Sequence, residues 1–155
     1  MNIFELKYDD WRKLKALLIN SSKESPDAFS AFVDGNTHDH EFKGWAKKWS
    51  QGRSEIAYIL SNNQGDWGII QGNIYNIGHL WVDPRIRGKG YGKRLLDRFL
   101  DWARERHTSN IHVFVTENSE AIDFYKSAGF ITTSESAKLR PRSEKSMIKM
   151  ELEIL

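Results

Sequence analysis

One segment, residues 80–95, constrains the fold of this chain more than any other. In it an apolar strand, a glycine-rich loop and an amphipathic helix follow one another without a break. The strand ends at Pro84, and the loop carries glycine at three alternate positions, Gly88, Gly90 and Gly92. Glycine admits backbone dihedrals that are closed to other residues and leaves the main-chain N–H groups accessible. Because the first N–H groups of a helix also lack internal partners, the segment predicts a cradle for a diphosphate group.

Cations surround this loop. Arg87 and Lys89 lie within it, and Lys93 and Arg94 fall in the first turns of the helix. Each can donate charge-assisted hydrogen bonds to phosphate oxygens. Lys93 and Arg94 are also consistent with solvated positions on the helix surface, so for these two both interpretations stay open.

Two better-known phosphate loops fail on spacing. A dinucleotide fingerprint, Gly-x-Gly-x-x-Gly, requires its third glycine where Lys93 stands. A Walker loop requires serine or threonine where Arg94 stands, and a glycine where Arg87 stands. The segment is therefore neither a nicotinamide-cofactor loop nor a nucleoside-triphosphate loop of these standard types.

The spacing does match Arg/Gln-x-x-Gly-x-Gly/Ala, as Arg87, Gly90 and Gly92, directly after a strand that ends in Val-x-Pro. This resembles the acetyl-CoA loop of the GCN5-related N-acetyltransferases, the GNAT superfamily. Residues 118–130 are similar to the other GNAT signature, Asn-x-x-Ala-x-x-x-Tyr-x-x-x-Gly-Phe, at the usual distance downstream. Two motifs in the right order carry the resemblance, which is specific from about residue 79 to residue 130.

Length and composition agree with one domain that spans residues 1–155. A content of 39% hydrophobic residues can supply a core, and a net charge of +2 does not argue for nucleic acid as a partner. The absence of cysteine excludes disulfides, thiolate metal sites and a cysteine nucleophile, and no metal site is predicted. The first residues lack the features of a signal peptide, and no apolar run approaches the roughly 18 residues of a membrane span. We expect a soluble, cytoplasmic protein.

Hydrophobic periodicity predicts alternating strands and helices. Asp9 or Asp10 caps a first helix with Trp11, Leu14, Leu17 and Leu18 on one face; residues 21–36 form a loop; and residues 37–50 form a second helix. A third helix covers residues 90–106, and a short fourth helix is capped by Asn118 or Ser119 and ended by Gly129. The predicted strands are residues 2–6, 56–60, 67–74, 77–82, 111–115, 131–136 and 146–154, the last two as an antiparallel pair.

The resemblance implies an α/β fold of the α+β type. Its mixed, mostly antiparallel central sheet has six to seven strands, flanked by about four helices. In GNAT proteins two neighbouring parallel strands splay apart beside the loop, here residues 77–82 and 111–115, and the pantetheine arm of acetyl-CoA lies in the gap. The residues expected to bind the acyl donor acetyl-CoA are Leu80, Trp81, Val82, Arg87, Gly88, Lys89, Gly90, Tyr91, Gly92, Lys93, Asn118, Phe124 and Tyr125.

The resemblance also suggests catalytic roles. Tyr125 matches the tyrosine that many members use to protonate the departing thiolate, although it could instead only pack beside Phe124 and Phe130. Many relatives have a glutamate base on the strand before the loop, where this chain has Asn76, which cannot accept a proton at useful pH. His79 is the substitute candidate, because the ordinary pKa of histidine suits a base. Glu55 and Asp66 are weaker candidates.

Three functions remain open at this stage. The first is an acetyl-CoA-dependent N-acetyltransferase acting on a primary amine of a small molecule or peptide, by direct attack in a ternary complex. The second has a macromolecular acceptor, either a protein amine or a charged tRNA, and the third is a non-catalytic acyl-CoA sensor module.

Other segments bear on the acceptor and on the type of protein. The basic residues 138–142 with Lys145 either border the acceptor cleft or form a solvated loop. Residues 25–29 are similar to the front end of bacterial GNAT proteins, which indicates a bacterial-type enzyme. Family members often dimerise, and the sequence leaves the oligomeric state open.

Overall fold

A computed structural model describes residues 1–29, 34–138 and 146–154 of the chain. Among them, seven strands form one sheet in the order β1-β2-β3-β4-β5-β7-β6. Every neighbouring pair is antiparallel except β4 and β5, which run parallel, so the predicted sheet is confirmed. The strands are β1 (Asn2–Glu5), β2 (Glu55–Asn62), β3 (Gly65–Asn73), β4 (Asn76–Val82), β5 (Asn110–Thr116), β6 (Ile131–Lys138) and β7 (Ser146–Glu153).

Five helices lie within the described residues, against about four predicted. They are α1 (Trp11–Glu24), α2 (Pro26–Phe29), α3 (Asp39–Trp49), α4 (Tyr91–Glu105) and α5 (Glu120–Ser127). Single 3₁₀ turns, Tyr8–Asp10 and Pro84–Ile86, precede α1 and the glycine loop. None of the helices described is long and apolar enough to cross a membrane.

The helices cover the sheet from both sides, because each carries one apolar stripe. On one face α1 and α3 pack against β2, β3 and Trp81 of β4, with the predicted stripe of α1 fully in this core. On the other face α4 packs against β2 to β5 through Leu95, Leu96, Phe99, Leu100, Trp102 and Ala103. At about 25 cal/mol per Å² of apolar surface, each large buried side chain contributes roughly 1.5–3 kcal/mol of transfer free energy.

The prediction of one loop over residues 21–36 is wrong in its first half. α1 continues to Glu24, and α2 follows almost at once, with Pro26 as its first residue. Proline suits that position because its fixed φ matches a helix and its missing N–H would be unpaired there anyway. Ser21 is buried, and its hydroxyl donates to the carbonyl of Leu18 at 3.1 Å, so a polar residue extends the helix without an unsatisfied group. The basic residues 139–142 and Lys145 lie outside the described residues.

Candidate functional site

The site is organised by a gap in the sheet between β4 and β5. Their parallel pairing joins Asn76 to His112 and Ile77 to Val113. Beyond these residues β4 stays paired with β3 as far as Val82, and β5 stays paired with β7 as far as Thr116. The two strands therefore part, and residues 78–82 and 114–116 border what we call the β4–β5 opening.

A bulge in β4 determines which of its side chains point toward α4 and which point toward α1 and α3. The register between β3 and β4 shifts at Gln71–Gly72, so the usual alternation along β4 is broken. Ile77 points into the core beneath α4, whereas Trp81 belongs to the core beneath α1 and α3. Without the shift these two residues would share a face. The main chain of β4 at Leu80, Trp81 and Val82 borders the opening, as expected for groups that would bind a pantetheine arm.

The loop after β4 is held in shape by Asp83. The Asp83 carboxylate accepts hydrogen bonds from the Arg85 main-chain N–H at 2.9 Å and from the Arg85 guanidinium at 2.8 and 3.0 Å. These hydrogen bonds hold the pKa of Asp83 below its ordinary value. The Arg85 guanidinium also lies over the Trp67 ring, 4.9 Å from its centroid. The start of the loop is thereby fixed to β3 and does not depend on a ligand.

The glycines of the loop have the predicted conformational role. Gly88 and Gly90 have φ of +77° and +86°, in the left-handed region that favours glycine. A Cβ atom at either position would meet no atom within 4 Å, so the space in front of the loop is open. Gly90 is the N-cap of α4, and the first helical bond runs from the Arg94 N–H to the Gly90 carbonyl at 3.1 Å. The N–H groups of the residues between Gly90 and Arg94 have no partner within the helix. They thus lie at the positive end of the helix dipole, next to open space.

The cations of the loop differ in their contacts. The Arg87 side chain donates to the Val82 carbonyl at 2.8 Å and pairs with Glu24 of α1 at 2.6 Å, so it joins the loop to α1. The Lys93 ammonium pairs with Asp97 at 3.0 Å on the outer surface of α4. Lys89 is exposed between Gly88 and Gly90. Contact of Arg87, Lys89 and Lys93 with a diphosphate stays a prediction, and for Arg87 it would require exchange of its present partners.

Tyr125 is held at the end of α5 by the turn that terminates the helix. The N–H of Phe130 donates to the Tyr125 carbonyl at 3.0 Å, and the N–H of Gly129, at φ +97°, donates to the Lys126 carbonyl at 3.0 Å. This is the Schellman pattern, and Gly129 has the predicted C′ position. The Tyr125 ring packs at 5.1 Å from the rings of both Phe124 and Phe130. The tyrosine is only 4% exposed, and burial raises its pKa.

The loop and α5 meet at Gly92. A Cβ atom at Gly92 would lie 3.3 Å from the Phe124 ring, tighter than most side-chain contacts, so glycine permits this close packing. Tyr91, just before it, is half-buried against the core and stacks with the Arg94 guanidinium at 5.6 Å. The first turn of α4 and the aromatic residues of α5 therefore form one continuous wall.

Asn118 is not the helix cap that the sequence suggested as one alternative. Ser119 occupies the N-cap position, but its hydroxyl donates back to the Thr116 carbonyl at 2.6 Å. Asn118 has φ of +58° and forms the turn between β5 and α5. Asparagine tolerates this left-handed conformation better than most residues. A contact of Asn118 with the pantetheine arm stays a prediction.

His79 is placed as a core residue. It is 2% exposed beneath α1, with Nε2 3.1 Å from the Ser21 hydroxyl oxygen. Burial lowers its pKa to about 3. An imidazole of this pKa is a weak base, and a side chain covered by a helix has no path to an incoming amine. The geometry therefore disfavours His79 as the base.

The two weaker base candidates are engaged elsewhere. Asp66 accepts a hydrogen bond from Ser61 at 2.9 Å and lies 3.6 Å from the Lys13 ammonium. Glu55 lies 3.7 Å from the Lys48 ammonium. Both belong to β2 and β3, which β4 separates from β5.

Sequence reasoning missed a polar cluster on β5 and β7. His112 is paired with Glu151 across the two strands, and Phe114 with Lys149. These side chains lie on the face opposite to α4, because Val113 and Met150 between them point into the α4 core. The signal lay in the alternation of both strands, but only their register shows which residues are neighbours. Among the described residues no group of histidine, aspartate and glutamate side chains could hold a metal ion.

Comparisons with known proteins agree with this geometry. The sequence model of the acetyltransferase (GNAT) family matches residues 3–130. An uncharacterized N-acetyltransferase of Methanocaldococcus jannaschii is 28% identical over 118 residues, which cover 66% of this chain and 52% of the relative. The L-amino acid N-acyltransferase MnaT of Escherichia coli is 33% identical over 76 residues, 46% of this chain and 42% of the relative. The chain thus spans about half the length of these curated relatives.

Solved structures share the whole fold. The YncA protein of Salmonella typhimurium, solved with its cofactor acetyl-CoA, has a TM-score of 0.81 at 18% identity. The match covers 100% of this chain and 94% of that chain. At this level of identity the likeness shows the fold alone.

Proposed function

Because the chain belongs to the acetyltransferase (GNAT) family, we propose that it is an N-acetyltransferase that uses acetyl-CoA as acyl donor. The acceptor is a primary amine of a small molecule or peptide, which attacks directly while donor and acceptor are both bound. The observation that carries the proposal is the β4–β5 opening beside the open glycine cradle at the start of α4. In GNAT proteins, which this chain resembles, the pantetheine arm lies in such a gap between strands, and free N–H groups at the start of a helix complement a diphosphate.

The residues present fit the donor. Gly88 and Gly90 leave open space in front of the loop. The N–H groups of Tyr91 and Gly92 lie at the N-terminal end of α4, a helix of 15 residues, where the helix dipole is positive. Exposed Lys89 adds a full positive charge next to them. Bound acetyl-CoA would supply an acetyl thioester, whose carbon is the electrophile.

Tyr125 is the proposed general acid. A phenol of ordinary pKa near 10 is protonated at neutral pH, so the hydroxyl can donate a proton to the departing sulfur. Burial raises the Tyr125 pKa, which makes the phenol a weaker acid in the free protein. The ring is fixed between Phe124 and Phe130, which would restrict the direction of that donation. This role is absent from a domain that only senses acyl-CoA.

For the acceptor we favour a small amine, such as an amino acid, over a macromolecule. The E. coli relative is named for L-amino acids, and a second relative, from Salmonella typhimurium, for L-methionine sulfoximine and L-methionine sulfone. The compounds in both names carry a primary amine next to a carboxylate. The polar cluster on β5 and β7 presents charges of both signs, the Lys149 ammonium and the Glu151 carboxylate, which suits a zwitterion.

The proposal is tested by release of coenzyme A in the presence of an amine panel. Because the chain contains no cysteine, a thiol reagent such as DTNB reports the released coenzyme A without background from the protein. The panel would hold L-amino acids, polyamines, a lysine peptide and a peptide with a free N-terminus. We expect turnover with at least one small amine, and weaker use of acetyl-pantetheine, which lacks the diphosphate, by about 100-fold in kcat/KM.

Three outcomes separate the alternatives. Turnover only with the peptides would favour the macromolecular acceptor. Tight binding of acetyl-CoA by calorimetry, with no turnover on any amine, would favour the sensor module. Equal use of acetyl-CoA and acetyl-pantetheine would contradict the diphosphate role of the loop.

A further inference from the structure

We propose that His112 of β5 is the general base that takes the proton from the acceptor amine. This assignment rests on the proposed function and concerns a residue that the sequence motifs do not cover. It is carried by the position of His112 at the start of the β4–β5 opening, by its accessibility and by its surroundings.

His112 stands where the two parallel strands separate. It is paired with Asn76 of β4, and its main-chain N–H donates to the Tyr75 carbonyl at 3.0 Å, so its place is fixed by the backbone. The next paired residue, Val113, is the last before the opening. The His112 side chain, unlike that of Val113, points away from the α4 core, as do His79 and Trp81 after the bulge in β4. His112 is therefore on the same side of the sheet as α1, at the inner end of the opening.

The imidazole of His112 is partly exposed to solvent, and its ring nitrogens can accept a proton. The residue is half-buried, and its ring meets the Phe114 ring edge-on, with centroids 6.0 Å apart and planes at 85°. No side-chain hydrogen bond from the part of the chain that the structure describes occupies the imidazole. Asn76, its partner on β4, is a neutral amide and cannot compete for the proton.

Burial and the charged groups around His112 determine its pKa, and therefore the pH range in which it is neutral. Burial and then the Lys149 ammonium lower its pKa from the ordinary value, while the carboxylates of Glu151 and Glu135 act in the opposite direction. Lys149 and Glu151 are on β7, and Glu135, which pairs with Lys149 at 3.1 Å, is on β6. Asp27 is the charged residue of α2, which also lies against β5. The net effect leaves His112 neutral at pH 7, the form that a base requires.

Acetyl transfer to an ammonium group releases one net proton. An N–H bond of the bound ammonium breaks, the electron pair stays on nitrogen, and the proton bonds to an imidazole nitrogen of His112. The amine lone pair then forms the N–C bond while the C–S bond breaks and its electrons go to sulfur. A second proton leaves the new amide nitrogen for water, the sulfur takes a proton from the Tyr125 phenol, and water returns a proton to that phenol. The products are therefore the amide, the free thiol and one net proton, which His112 releases to water.

The test compares His112→Gln with a matched control, His40→Gln. His40 is on the outer surface of α3, with its side chain 78% exposed. With the best amine from the panel, kcat/KM is measured from pH 5 to pH 9. We expect the wild type and H40Q to share an acid limb below pH 6.5, and H112Q to lose that limb together with about 100-fold of its rate at pH 7.

A second readout does not depend on turnover. Imidazole titration by NMR in the free protein should give a pKa below 6.5 for the resonance that H112Q removes. Lys149→Met and Glu151→Gln should displace this pKa, and the acid limb of the rate profile, in opposite directions by roughly a few tenths of a pH unit. Lys149→Met moves both upward because it removes a repelling cation, and Glu151→Gln moves both downward.

The outcomes are distinguishable. If H112Q retains the acid limb and a rate within about threefold of the wild type, the assignment of His112 is overturned while the proposed function stands. If the two β7 variants shift the NMR pKa but not the rate profile, His112 titrates without taking part in the reaction. If the wild-type protein acetylates no amine, the proposed function fails and this assignment fails with it.

Discussion

The two sides of the β4–β5 opening are built in different ways. On the side of α4 and α5, the loop presents main-chain N–H groups, and its shape comes from Asp83 and from glycines at positive φ. On the other side, β5 and β7 present the side chains of His112, Phe114 and Lys149. We refer to these as the donor side and the acceptor side.

The difference explains why one side is easier to identify than the other. A main-chain cradle needs particular backbone dihedrals, so glycines must recur at fixed spacing and the motif is visible in the sequence. A cluster of side chains on two strands needs only compatible residues in register, and its members are far apart in the chain. The donor side therefore defines the family, whereas the acceptor side would define the substrate.

The largest effect on the rate is expected from substitution of Tyr125, the one side chain on the donor side with a proposed catalytic role. In Tyr125→Phe the ring still packs between Phe124 and Phe130, so the free energy of unfolding should stay within about 1 kcal/mol. We expect kcat to fall about 100-fold and the Kd of acetyl-CoA to change less than about threefold. Steady-state kinetics and calorimetry measure the two quantities.

Tyr75→Phe is the control for this prediction. Tyr75 is 65% exposed, and its hydrogen bonds to Asn73 and His112 are made by its main-chain N–H and carbonyl, so the loss of its hydroxyl should change neither kcat nor Kd. Equal turnover of Tyr125→Phe and wild type would show that Tyr125 only packs, and that the donor side works through its main chain alone.

The second prediction concerns the main chain of the donor side. Gly90→Ala adds a methyl group at a position with φ of +86° and open space before it. We expect the Kd of acetyl-CoA to rise about tenfold, because the loop must relax from the left-handed conformation at a cost of roughly 1–2 kcal/mol. Calorimetric titration with acetyl-CoA and thermal unfolding of the free protein measure both effects.

Gly44→Ala separates a general effect of the added methyl group from one on the cradle. Gly44 is in α3, where a Cβ atom also meets no atom within 4 Å. Alanine favours a helix, so this variant should be more stable by about 0.5–1 kcal/mol and should bind acetyl-CoA as the wild type does. Unchanged affinity in Gly90→Ala would show that the positive φ is not needed for the donor.

The fold was largely predictable because local patterns specify its elements. Alternation and helical periodicity indicated the strands and the longer helices, and the glycine loop was located from its spacing alone. α2 was missed because four residues are too few to show a period. The partners of Arg87 were not predictable either, since Glu24 is far away in the chain and meets it only through the packing of α1.

The two histidines show where local patterns fail at the site. His79 lies on β4, the strand that leads into the glycine loop, and its position there makes it a candidate for the base, yet the β3–β4 bulge places it under α1. His112 has no motif around it, and its neighbours Lys149 and Glu151 are known only from the register of β5 with β7. Long-range pairing, which no short window of sequence contains, decides both positions.

Substitution of His79 should affect stability and leave the rate profile unchanged, in contrast to substitution of His112. The folded-state pKa of His79 is about 3, and an unfolded chain binds the proton near pH 6.5. Below pH 6.5 the unfolded state therefore binds more protons than the folded state, and stability falls as the pH falls, down to about pH 3. Between pH 7 and pH 5 this contribution amounts to about 2 kcal/mol.

In His79→Gln this part of the pH dependence should disappear, although the variant starts from a lower stability at pH 7 because a buried group has changed. Urea unfolding at pH 5 and pH 7 measures the difference. The acid limb of the kcat/KM profile should remain as in the wild type, because a histidine that stays neutral throughout the assay range cannot produce it. If His79→Gln removed the limb and His112→Gln did not, the base would belong to β4, and the contrast between the two sides of the opening would have to be redrawn.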